Sequence, residues 1–331
     1  MTAVRVRVPA STSNLGGGFD CVGIAVDRWL EIQARVASDV TDAVSLTRRG
    51  TASVLAGAPS DDLIYRGFTV ACEAAERDVP RGVVLDVDSS IPVGRGFGSS
   101  AAALLAGAAA ANALLALGLS DEVIARLCAG IEGHGDNVAP CLLGGAVFAT
   151  LAGPRGLVLA PIAVHPSLRL AFAIPDFAVD THLARAALPA SIGHRDARAA
   201  AAASAALVLG LERGDQELLS VGLEGPLHIP YRRSLVRGYD DVVDAARSAG
   251  AIGATLSGSG SAIVAITDSR SAEGVAAAMV GAWSAHGVAA TPFVSSPCPR
   301  GLQVERLGGG DTVSSTSAEH SEESHISSNT R

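Results

Sequence analysis

Lysine is missing from the 331 residues, and all 25 basic side chains are arginines. That removes every mechanism built on a lysine amine: a Walker A lysine, a protein-kinase strand lysine and a Schiff base. Cysteine is scarce, with Cys21, Cys72, Cys128, Cys141 and Cys298 scattered and no C-x-x-C pair among them. Neither a zinc site nor a disulfide framework is expected from that pattern. Aromatic residues make up only 4% of a chain that is 48% hydrophobic, which suits closely packed, alanine-rich helices. Positive charge is lacking too: the net charge is −8, so no general attraction to nucleic acid or anionic membrane is expected. The N-terminus has no signal-peptide pattern, because Arg5 and Arg7 alternate with valines as in a strand. Residues 101–118 approach membrane-span length, but they contain Asn112 and follow a polar loop, so a buried helix is expected. A soluble, cytoplasmic protein is the expectation.

The stretch at 91–118, IPVGRGFGSSAAALLAGAAAANALLALG, is what the rest of the chain is organised around. Gly94, Gly96 and Gly98 stand at alternate positions, where the missing Cβ atoms permit tight turns and close approach to a ligand. Ser99 and Ser100 then lead into an alanine-leucine run, so a helix is predicted to begin near Ser99. The unsatisfied N–H groups and positive dipole end of such a helix make an anion site.

Alternation predicts a strand over 4–8, followed by a polar, glycine-rich connection at 9–26 whose best ligand candidates are Asn14 and Asp20. Further strands are predicted over 29–36 and 82–87, with a helix over 62–76 between them. Ser120 caps a helix that ends near Glu132. The segment EGHGDNVAP then brings Glu132, His134, Asp136 and Asn137 within six residues. A hard cation prefers oxygen ligands, and magnesium on a nucleotide takes one or two from the protein, so Glu132 and a loop serine suffice. In the second half, strands are predicted over 169–174, 262–267 and 288–294, with helices over 198–211, 240–249 and 271–285. From Gly308 the chain is rich in Ser, Glu and Gly and is expected to be disordered.

Three separated segments resemble the three motifs of the GHMP kinases, a superfamily of small-molecule kinases. They are PASTSNLGGGFDCVG near the N-terminus, PVGRGFGSSAAA in the centre and GATLSGSGSAIVAI at 253–266. Within that superfamily, EGHGDNVAPCLLGG, IPDFAVDTHLARAALP and PLHIPYR are most similar to the homoserine kinases. The resemblance covers roughly residues 1–300. It implies an α+β, two-lobed GHMP kinase fold: a ribosomal S5 domain 2-like N-terminal domain over 1–152 and a ferredoxin-like C-terminal domain over 153–305. The remainder, 306–331, is the tail.

The resemblance also implies roles. The loop Pro92, Val93, Gly94, Arg95, Gly96, Phe97, Gly98, Ser99, Ser100, Ala101 and Ala102 would hold ATP, and Ser100 with Glu132 would hold Mg2+. The small-molecule acceptor would be L-homoserine, a zwitterion that needs a carboxylate for its ammonium and arginine for its carboxylate. Asn14 and Asp20 would face the amino end, Arg185 and Arg232 the carboxylate, with His134, Asp136, Thr181 and Gly258 as neighbours. Mevalonate kinase and galactokinase carry an aspartate where Asn137 stands, so Asn137 would orient a reactant rather than act as a strong base. Ser261 stands where the family's third motif usually has proline. A homodimer is common in the family. Two competing functions remain: a GHMP kinase for a polyol, sugar or shikimate-like acid, and a kinase-fold sensor without turnover. A dinucleotide-binding oxidoreductase is disfavoured, because Gly94-x-Gly96-x-Gly98 lacks the G-x-G-x-x-G spacing.

Overall fold

The computed structural model describes residues 3–308. The first sheet holds β1 (Ala3–Ser13), β2 (Val22–Val36), β3 (Val44–Gly50), β4 (Val83–Ser89), β5 (Ala146–Leu151) and β6 (Leu157–Ile162). Helices α1 (Leu63–Ala74), α2 (Ser99–Leu115), α3 (Asp121–Glu132) and α4 (Val138–Leu143) accompany it. Val4, Val6 and Val8 of β1 are buried while Arg5 and Arg7 take the other face, as a period of two requires. Asp62 caps α1 by accepting from the Ile64 N–H, and Ser120 caps α3 through the Val123 N–H. Asn112, the polar residue in the apolar run, both donates to the Leu119 carbonyl and accepts from its N–H, closing the turn after α2.

The second lobe runs β7 (Leu168–Pro175), α5 (Thr181–Ala186), α6 (His194–Arg213), α7 (Gln216–Gly222), α8 (Ile229–Arg232) and α9 (Tyr239–Ser248). It continues through β8 (Gly253–Leu256), β9 (Ile263–Asp268), α10 (Ala272–Ala285) and β10 (Ala290–Ser295), and the chain returns as β11 (Gln303–Leu307). The second sheet has the antiparallel order β10-β7-β9-β8. Its alternate residues serve two cores. Ala171, Ala173, Ile263 and Ala265 pack with α9 and α10, whereas Leu170, Phe172, Val264 and Ile266 join the larger core of the first lobe. Helices therefore cover one face of this sheet, and its other face is what unites the lobes.

Strand pairing also departs from the expected division at 152/153. β6 pairs with β5, and β11 pairs with β1, so both complete the first sheet. Arg306 and Leu307, expected in the tail, belong to β11, and Leu307 is buried there. The rest of the expected disordered tail, from 309 onward, lies outside the described residues. β3, β6, β8 and β11 were not anticipated. β3 is amphipathic at an edge, pairing parallel with β4, and its Arg48 is held by Asp62 at 2.7 Å.

Candidate active site

The glycine loop joins β4 to α2, and Gly98 enters the helix in the left-handed region at φ 63° with no side chain capping the first turn. A Cβ on Gly98 would overlap Ser11 Oγ, and one on Gly96, at φ 81°, would overlap the Ser257 carbonyl. Only glycine lets the loop lie this close to both lobes. From the second lobe, Ser257 Oγ donates to the Gly96 carbonyl at 2.7 Å, and Gly258 N–H donates to the Ser13 carbonyl at 2.9 Å. Gly258 thus lines the cleft together with Gly94, Gly96 and Gly98. Ser261, in the usual proline position, donates its hydroxyl to the Phe177 carbonyl at 2.5 Å.

Some loop residues differ from expectation. Arg95 points away from the cleft: its guanidinium donates to the carbonyls of Pro175 at 2.9 Å, Val93 at 3.1 Å and Asp176 at 2.7 Å. Phe97 borders the cleft, but its ring is buried against Phe172, with ring centres 4.9 Å apart. Ala101 and Ala102 turn their side chains into the core, and the Ala102 N–H is already taken by the Gly98 carbonyl at 3.0 Å. Pro92 precedes the loop without lining the cleft.

Across the cleft, Ser100 Oγ donates to Glu132 Oε2 at 3.0 Å. Burial raises the Glu132 pKa, against the opposing pull of that hydrogen bond. His134 Nδ1 sits 2.6 Å from Asp136 Oδ1. Burial works to discharge this imidazole, but the Asp136 hydrogen bond and the charges of Asp136, Asp20 and Glu132 raise its pKa overall. Asn137 stands at the start of α4 with its carboxamide held from β1. Ser11 Oγ donates to Asn137 Oδ1 at 2.9 Å, and Asn137 Nδ2 donates to Ser13 Oγ at 3.0 Å. These two serines went unnoticed in the sequence, although their i, i+2 spacing on a strand puts both on one face. Thr181 borders the same cleft and meets Ser259 Oγ at 3.0 Å.

The residues expected to meet the acceptor gather at one end. Asn14 and Asp20 are non-glycine residues at φ 59° and 55°, and Asn14 Oδ1 accepts from the Asp20 N–H at 2.9 Å. Such strained backbone persists where the surroundings fix it and marks functional loops. Asp20 and Arg185 form a two-pronged ion pair, both contacts at 3.0 Å. Arg232 is only 1% exposed, donates from Nε to the Ala184 carbonyl at 2.9 Å, and lies over the Phe19 ring. Among the described residues, Arg232 Nη1, Asp136 Oδ2 and His228 Nδ1 are buried without a hydrogen-bond partner. Buried unpaired polar atoms are costly, so their gathering at one end fits a place where a polar ligand sits.

Next to the loop, and unforeseen in the sequence, is an apolar pocket lined by Leu30, Ala52, Val87, Ile91, Val93 and Ala103, reaching Ser99 and Ser100. Its walls come from β2, β3, β4, α1, α2 and the segments after β3 and β4, a set that no local pattern connects.

The model of the GHMP kinases N terminal domain matches residues 62–145, and that of the GHMP kinases C terminal region matches 207–285. A homoserine kinase of Synechococcus sp. is 38% identical over 303 residues, covering 92% of this chain and 98% of that protein. The chain belongs to the GHMP kinase family. The homoserine kinase of Gloeobacter violaceus, another member, is 40% identical over 278 residues, or 84% of this chain and 92% of that one. Among solved GHMP kinase structures, the homoserine kinase from Cytophaga hutchinsonii superposes with a TM-score of 0.81 at 29% identity, covering 92% of this chain and 97% of that one. Mevalonate kinase from L. major shares the fold with a TM-score of 0.65 at 18% identity, covering 88% of this chain and 95% of that one. Like other GHMP kinases, this chain uses ATP.

Proposed function

We propose that this kinase transfers the terminal phosphoryl group of ATP to the side-chain hydroxyl of L-homoserine, forming O-phospho-L-homoserine on the route to threonine. The observation that carries the acceptor is the Asp20–Arg185 pair beside the buried Arg232. These charges suit a zwitterion: its ammonium goes to Asp20, and its carboxylate to Arg185 and Arg232. The homoserine kinases of high coverage among its relatives support the same acceptor.

The apolar pocket takes the adenine base, and the phosphates cross the glycine loop onto the uncapped end of α2. Ser100 and Glu132, a hydroxyl and a carboxylate 3.0 Å apart, fit the oxygen preference of Mg2+. When bound there, the ion would offset charge on the phosphate oxygens. Asn137, fixed by Ser11 and Ser13, orients the hydroxyl or the phosphate, and Thr181 and Gly258 close the cleft. A loose transition state needs little prior deprotonation of the nucleophile, so no strong base is required. His134 and Asp136 complete the wall between the phosphate and acceptor ends. Among the described residues no helix is long and apolar enough to cross a membrane, and a cytoplasmic location suits this chemistry. A homodimer is the assembly the family implies.

The test is ADP release with ATP and Mg2+, comparing L-homoserine with L-threonine, shikimate, mevalonate and galactose. Turnover confined to L-homoserine is expected. Turnover on another acceptor would keep the phosphate chemistry and discard the assignment of Asp20, Arg185 and Arg232.

A further inference from the structure

We infer that His228 is a positioning residue for the acceptor subsite, holding Phe19 and the Gly16–Gly18 turn so that Asp20 and Arg232 keep their places; this rests on the acceptor reading above. His228 is completely buried at the start of α8, four residues before Arg232. Positions i and i+4 share a helix face, and both side chains lie on the same ring. The imidazole stacks on Phe19 with centroids 4.9 Å apart and planes 18° from parallel, and the Arg232 guanidinium lies 5.0 Å from the Phe19 centroid. The Arg232 N–H donates to the His228 carbonyl at 3.0 Å.

His228 also reaches the loop that carries Asp20. Its Nε2 is 3.2 Å from the Gly16 carbonyl. In the tautomer that donates from Nε2, Nδ1 bears a lone pair that, among the described residues, accepts from no protein donor. Ser204 Oγ donates to the Gly17 carbonyl, so two side chains of the second lobe hold this turn. The turn ends at Phe19 and Asp20, whose backbone is left-handed and tied to Asn14. One imidazole therefore touches both arms of the subsite, the loop bearing Asp20 and the helix bearing Arg232. Burial, then the charge of Arg232, pushes its pKa down to about 4, so the ring adds no third positive charge beside Arg185 and Arg232. Phenylalanine would keep the stack and lose the Gly16 contact. An amide would do the reverse.

Initial rates with ATP and L-homoserine test the inference through a split between the two Michaelis constants. His228→Ala is expected to raise the acceptor KM at least about tenfold and leave the ATP KM within about twofold. His228→Phe and His228→Gln should each recover part of the loss. Phe19→Leu leaves His228 and its Gly16 contact in place and should raise the acceptor KM in the same direction. It carries the test should His228→Ala fail to fold. The two effects should fall short of adding in the double variant, because both act through one stack. An acceptor KM unmoved in either folded variant would overturn the inference, as would equal rises in both constants. Absence of wild-type turnover on L-homoserine would remove the acceptor reading first, and the inference with it.

Discussion

Phe97 and Phe172 pack as tilted rings with centres 4.9 Å apart and planes at 41°, so the glycine loop of one lobe is plugged into the sheet of the other. Phe293 extends the cluster at 5.8 Å from Phe172. A buried ring removed from such a site costs about 3–5 kcal/mol through lost burial and the cavity left behind. Phe97→Ala should therefore lower the unfolding free energy by that amount, read as an earlier denaturant midpoint, and raise the ATP KM, because the loop loses its anchor. Phe97→Leu should recover most of both. A stability loss with unchanged ATP KM would show that the ring anchors the lobe alone.

Arg95 spans the same junction by donating to three carbonyls, two of them at the end of β7. Its planar fork sets direction as well as charge. Arg95→Met is expected to weaken ATP binding about tenfold, and Arg95→Lys should fail to restore it. Restoration by lysine would mean that the charge acts on the phosphates directly. ATP titrations of the two variants decide between these roles.

Ser100 and Glu132 face each other at 3.0 Å beside the loop. Glu132→Gln keeps the shape and removes the anion that a hard cation prefers. The Mg2+ concentration giving half-maximal rate should rise about tenfold or more, and Ser100→Ala should shift it in the same direction. A chelator in excess should abolish turnover in the wild type, and readdition of Mg2+ should restore it. Unchanged Mg2+ dependence in both variants would place the metal elsewhere.

The buried His228 makes stability depend on pH. Its folded-state pKa is about 4 against an unperturbed 6.5, through burial and the nearby Arg232 charge. Below pH 6.5 the unfolded chain takes up a proton that the folded chain refuses. The neutral ring therefore costs nothing above pH 6.5, and stability falls as the pH drops from 6.5 towards 4. The loss attributable to this group is about 3 kcal/mol at most. Urea unfolding at pH 7.5 and pH 5 should show a steeper acid loss in wild type than in His228→Phe. Parallel slopes would contradict a buried neutral imidazole.

Much of this was readable in the chain because the signals are local. The glycine spacing, the Ser120 cap and the run from Glu132 to Asn137 each sit within a dozen residues, and the structure brings the glycine loop, Glu132, His134 and Asn137 to one cleft. What escaped depends on contacts between distant segments. Arg95 reads as a phosphate ligand until β7 presents its carbonyls, and Phe97 reads as a loop residue until Phe172 arrives from the other lobe. Ser11 and Ser13 matter only through Asn137, more than a hundred residues away. The apolar pocket is assembled from residues of β2, β3, β4, α1 and α2 and the segments between them, which no local pattern joins. β11 returns to pair with β1, a long-range closure that no periodicity announces.

The most direct test of the phosphoryl-transfer account is to identify the product. Purified protein, ATP, Mg2+ and L-homoserine would be incubated together and followed by phosphorus-proton correlation NMR. The account predicts one new phosphoester, coupled to the methylene protons next to the side-chain oxygen, formed in step with ADP. ADP appearing with only inorganic phosphate, or no reaction while ATP binds, would contradict it.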